Sequence, residues 1–228
     1  MTRFNWRFAV VVTLVVLMST VALQASPITT YTAYTDPVGQ GTQAWGGNLA
    51  LLFNVNTPIN VTSLGVFNAS GTAAINGTIQ VGIFNISNPT PTLETSVIFT
   101  PGPYTPPGGA VYDVFQSTTP VHLGPGSYEI DAFGFSSADL NGNLNTGSLS
   151  GPLLTGNGAL TYVGAAWDSN FASLDAPTTC PSCQGAPVPQ SSQFDAGTFK
   201  YQVPEPSMLG LLCMGLIGVG GIRRKLAR

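Results

Sequence analysis

"SYEIDAF", residues 127–133, sets Tyr128, Ile130 and Ala132 on one side of an extended chain and Glu129 and Asp131 on the other. Successive side chains of a strand point to opposite faces, so this period of two predicts a strand with one apolar and one polar face. "TIQVGIF" (78–84) repeats the pattern, with Ile79, Val81 and Ile83 alternating with Thr78, Gln80 and Gly82. Working outward, strands are expected at 29–35, 48–55, 60–68, 96–100, 111–115, 160–165 and 198–203, separated by turn clusters of Asn, Gly, Pro and Ser. No stretch of ten residues has helical periodicity, and 27 Gly and 18 Pro disfavour long helices. Some nine short strands in one domain predict an all-β fold, an antiparallel β-sandwich resembling a jelly roll.

Charge is scarce and unevenly placed. Only 7% of the 228 residues are charged, and the seven basic ones are Arg3, Arg7, Lys200, Arg223, Arg224, Lys225 and Arg228. Residues 26–206 therefore hold all ten acids against Lys200 alone. A surface of that sign repels phosphate, which excludes nucleic acid as a partner.

Both ends read as targeting segments. Residues 1–25 have Arg3 and Arg7, an apolar run and small residues near Ala22 and Ala25, the layout of a secretory signal peptide, with residues 26–202 as the exported domain. At the other end, residues 206–222 are uncharged, and seventeen residues at ~1.5 Å each make a helix of ~26 Å, a short transmembrane span. Arg223, Arg224, Lys225 and Arg228 follow it and hold that end on the cytoplasmic side. The order Pro204-Glu205-Pro206, Gly-rich apolar run and basic cluster within residues 203–228 resembles the sorting signal of the PEP-CTERM family. The resemblance implies export by the general secretion machinery, a transient inner-membrane anchor, and processing by an exosortase that recognises Pro204, Glu205 and Pro206. It also implies a final place at the surface or in the extracellular matrix of a Gram-negative bacterium that makes exopolysaccharide, itself a candidate partner. "SLGVF", "LGPGSYEIDAFGF", "DLNGN" and "AGTFKYQVPEP" resemble the β-rich exported domains that precede such signals, which implies a fold but no reaction.

Five groups of residues bear on chemistry. His122 is the sole histidine, and no Gly-x-Ser-x-Gly elbow accompanies it, so a structural role is expected. Glu129 and Asp131 share a face ~6.6–7 Å apart, within the range of an inverting glycosidase pair, although alternating acids on a strand usually mark a solvated face. Asp139, Asn141, Asn143 and Asn145 offer oxygen at every second position, suited to calcium, with a polar turn as the alternative. Cys180 and Cys183 form a local disulfide candidate in an oxidising compartment. Trp45, Tyr162, Trp167 and Phe171 would serve either as core or as a platform for sugar rings. No catalytic residue is assigned and no cofactor beyond that calcium is expected; the domain reads as a non-enzymatic surface or matrix protein. The alternatives are a carbohydrate-binding or adhesion module and an extracellular hydrolase.

Overall fold

The computed structural model describes residues 28–34, 41–69, 71, 74–104, 113–143, 155–177 and 196–204. The expected signal peptide, the membrane run with its basic cluster, Asn145, Cys180, Cys183, Glu205 and Pro206 lie outside the described residues. Thr29–Pro204 forms a compact unit by itself.

The described residues form strands and no helix, in the order β1 (Thr30–Thr32), β2 (Leu49–Val55), β3 (Ile59–Phe67), β4 (Ala74–Ile75), β5 (Ile79–Asn85), β6 (Thr92–Phe99), β7 (Gly102–Pro103), β8 (Asp113–Leu123), β9 (Gly126–Phe133), β10 (Leu160–Trp167) and β11 (Gly197–Gln202). They make a four-stranded sheet, β1-β11-β3-β8, a five-stranded sheet, β10-β2-β9-β5-β6, and the short pair β4-β7. All pairings are antiparallel. The pairs β1–β11, β2–β9, β3–β8 and β5–β6 are nested, each lying within the previous one along the chain.

The apolar sides of both sheets meet in one core. Leu51 and Phe53 of β2, Val81 and Ile83 of β5, and Ile130 of β9 are buried together with Val61 and Leu64 of β3 and Phe199 of β11. Phe53 and Phe199 bridge the sheets with ring centroids 5.0 Å apart. Gly197 of β11 backs onto β9 so closely that a Cβ there would meet Ile130 Cγ1 at 3.2 Å. Each fully buried large apolar side chain in such a core stabilises the fold by roughly 1.5–3 kcal/mol.

Each of the nine expected stretches contains a strand, and two strands run well beyond the stretches the sequence suggests. β6 begins at Thr92 rather than residue 96, and β8 continues through Pro120 to Leu123 rather than ending at residue 115. Pro lacks the N–H that a ladder needs and is tolerated on edge strands or at bulges. Both conditions hold: β8 is an edge strand, and its register against β3 jumps from Val61↔Val121 to Ser63↔Ser117, leaving Thr118, Thr119 and Pro120 in a bulge.

Candidate functional site

The outer face of the five-stranded sheet carries the unusual chemistry. Register places Ala166, Ala50, Asp131, Gly82 and Ser96 side by side across β10, β2, β9, β5 and β6. Small side chains on both sides of Asp131 leave a shallow trough with a carboxylate in its floor. The neighbouring row sets Glu129 between Leu52 and Phe84. Segment 168–177, which follows β10, lies over the trough like a strap: a Cβ on Gly82 would meet Leu174 Cδ2 at 2.8 Å. Glu129 is consequently 1% exposed and Asp131 0%. The solvated face expected for these acids is thus corrected; parity put them on the outer side, and the strap keeps water from it.

Asn48 ties the strap down. It continues the outer face one step beyond β2, where the Asp168 N–H donates to its carbonyl at 3.2 Å. Its side-chain Nδ2 lies 2.7 Å from Asp175 Oδ1, 3.1 Å from Asp168 Oδ1, 3.2 Å from the Ser173 carbonyl and 3.5 Å from the Asn170 carbonyl. Asn170 in turn donates from Nδ2 to Asp175 Oδ2 at 2.5 Å. Asn48, Asp168, Asn170 and Asp175 were not singled out from the sequence; the available signal is the oxygen-rich run "DSNFASLD" (168–175).

Four carboxylates, Glu129, Asp131, Asp168 and Asp175, therefore gather around one trough. Burial, then the charges of Asp168 and Asp175, push the Glu129 carboxyl up to about 8. Burial raises Asp131 strongly as well, followed by Glu129, Asp168 and Asp175, with the Ala132 N–H pulling the other way. Asp175 is raised by burial, against the pull of the Asn170 amide. Neither Asp131 oxygen, nor Glu129 Oε1, makes a hydrogen bond of good geometry. The basic side chains among the described residues are on the other sheet: His122 on β8, and Lys200 on β11 with its ammonium 4.1 Å over the Phe115 ring.

An aromatic ledge adjoins the strap. Trp45 meets Trp167 edge-on at 5.5 Å and Phe171 at 5.4 Å between ring centroids. Phe171, carried by the strap, is 60% exposed, and Gln43, Trp45, Leu49 and Trp167 line a pocket of about 240 Å³. That volume lies below the usual range for an engulfed small molecule, ~300–1,000 Å³, and suits an open face against which one ring packs. Tyr162 is not part of this ledge; it meets Tyr34 edge-on at 6.4 Å toward the core.

The other expected groups separate. His122 is exposed, with Nδ1 3.1 Å from Asn60 Oδ1, an arrangement without a nucleophile or acid partner. Of the four residues expected to hold calcium, Asp139, Asn141 and Asn143 serve different local partners, and Asn145 lies outside the described residues. Asp139 accepts the backbone N–H groups of Asn76 and Gly77, Asn141 Oδ1 accepts the Asn143 N–H at 3.0 Å, and Asn143 Nδ2 donates to Gln43 Oε1. Pro204 is exposed just beyond β11, where the domain ends.

Fold and site together define an all-β domain with antiparallel sheets, a covered acidic trough and an exposed carboxyl-terminal exit. Residues 202–225 match the family described as the PEP-CTERM protein-sorting motif, so the chain carries that motif and is consistent with an exosortase substrate, exported and sorted at the membrane of a Gram-negative bacterium. The match begins on the last residue of β11 and covers the tail alone. Comparison with curated proteins finds no match.

Proposed function

We propose that the chain is a non-enzymatic surface or extracellular-matrix protein whose jelly-roll sandwich is delivered and released by exosortase processing of its tail. The sorting-motif match at residues 202–225 carries this reading. The position of Pro204, exposed two residues beyond the end of β11, supports it, because a processing enzyme could reach this proline without unfolding a strand. A hydrolase is disfavoured by the acids themselves. A general acid must reach a glycosidic oxygen, while Glu129 and Asp131 are covered by the strap. Intact mass of the protein from its native host, with and without the exosortase gene, tests the proposal. Loss of the tail only when the enzyme is present supports it; retention of residues 207–228 in both strains would make the tail a permanent anchor and refute release.

The Trp45–Trp167–Phe171 ledge favours a second reading, in which the domain binds exopolysaccharide by packing sugar rings against exposed Phe171 and the half-buried Trp45 and Trp167 beside it. Phe171→Ala would then be retarded at least several-fold less than wild type in affinity electrophoresis through the host's own polysaccharide, without a lower unfolding temperature. Equal retardation of both proteins would remove this reading while leaving the sorting proposal intact.

A further inference from the structure

We propose that the strap over the five-stranded sheet is a calcium site, formed by the Asp168 and Asp175 carboxylates and the Asn170 and Ser173 carbonyl oxygens, with buried Asp131 supplying charge from below. Two independent observations meet here. The first is the crowding of four oxygens from the strap within 2.7–3.5 Å of Asn48 Nδ2, an amide nitrogen with only two hydrogens to give. The oxygens converge for a reason the amide does not exhaust. Asn48 Oδ1 is held by the Asp175 N–H at 3.3 Å, so a cation enters by taking the place of Nδ2 among these oxygens.

The second observation is Asp131, fully buried, with neither oxygen in a hydrogen bond of good geometry, and with Asp168 and Asp175 among the charges that act on it. Buried carboxylates are normally paired, hydrogen-bonded or bound to metal, since leaving one bare is costly. No Lys, Arg or His among the described residues reaches this face, so these carboxyls are neutralised either by protons or by a cation from solution that displaces them. Among the described residues no three His, Cys, Asp or Glu side chains converge tightly enough to hold a metal alone. The shell is accordingly mixed, two carboxylates plus backbone carbonyl oxygens and water, which is what calcium accepts at ~2.3–2.6 Å with six to eight ligands. Magnesium, which demands near-ideal octahedral geometry and keeps its water, fits such a strap poorly. The ion would lock the segment that carries Phe171.

The test uses the full-length chain, purified in detergent and freed of metal with chelator, titrated with calcium chloride by calorimetry and by thermal unfolding. The expected result is a saturable site with Kd of about 10⁻³ M or tighter, as in extracellular modules, an upward shift of the unfolding temperature, and at least tenfold weaker binding of magnesium. Asp168→Asn and Asp175→Asn each weaken calcium at least about tenfold. In chelator both variants unfold no earlier than wild type, because each removes one of several crowded negative charges; this separates ligand loss from misfolding. Asp139→Asn leaves the calcium affinity unchanged. No heat and no thermal shift up to about 10 mM calcium, tenfold above the weak end of that range, would overturn the proposal. Undiminished binding in the Asp168→Asn, Asp175→Asn double variant would do so as well.

Discussion

Replacing Glu129 with Gln keeps the size of the side chain and removes its titration, so the variant measures what burial of this carboxyl costs. In chelator, the groups acting on it are Asp131 on its own strand and Asp168 and Asp175 from the strap, while its partners on the flanking strands are Leu52 and Phe84. Its carboxyl is raised from 4.5 to about 8, first by burial and then by Asp168 and Asp175. Below pH 4.5 the folded and unfolded chains both hold the proton and the group makes no pH-dependent contribution. Between pH 4.5 and 8 the unfolded chain ionises while the folded one keeps its proton, so stability falls as pH rises; above about 8 the folded form ionises too and the loss levels off. At roughly 1.4 kcal/mol per pH unit, about 3 kcal/mol disappears between pH 4.5 and 7. Exposure of 1% leaves little solvent screening to reduce that figure. Asp131 and Asp175 titrate in the same direction, so the wild-type loss is larger, and the difference between the two proteins isolates Glu129. Urea unfolding followed by circular dichroism at several pH values reads it directly. The Glu129→Gln curve should be flatter than wild type by about 3 kcal/mol at pH 7; parallel curves would refute the desolvated trough.

Two further predictions concern the supports of the site. Asp139→Ala removes a carboxylate that accepts the Asn76 and Gly77 N–H groups, and unfolding in denaturant should show a loss of about 2–4 kcal/mol, partly restored in Asp139→Asn. Gly47→Ala drives a Cβ to 2.5 Å from the Asp168 carbonyl oxygen and 2.9 Å from Trp45 Nε1. The expected cost is about 1–3 kcal/mol, with faster protease cleavage within 168–177; unchanged cleavage would show that the strap does not depend on this close approach.

Alternation alone was enough to find most of the sheet, because a half-buried strand must repeat every second residue to keep Ile79, Val81 and Ile83 on one core. It failed where the local chemistry imitates a turn. "QSTTP" carries no apolar alternation and includes a proline, yet it continues β8, since an edge strand with a three-residue bulge has no ladder bond for Pro120 to break. The same locality limits "DLNGNLN": oxygen at every second position describes a calcium loop and a polar turn equally well. Only the position of the Asn76–Gly77 turn, brought in from before β5, decides that Asp139 is a backbone acceptor.

The acidic strand shows the limit most clearly. Parity assigns Glu129 and Asp131 to the face opposite Ile130, and the structure agrees, but parity names a side of the sheet without saying what lies above it. That depends on three facts from separate parts of the chain: Ala50 and Gly82 flank Asp131, Leu174 seats where Gly82 has no side chain, and Asn48 holds the segment between Asp168 and Asp175. None is visible within residues 127–133. Read together, "DSNFASLD" and the acids of β9 gain their meaning from each other. The strap makes the acids dry, and the acids give a strap rich in oxygen a reason to bind a cation rather than remain a solvated loop.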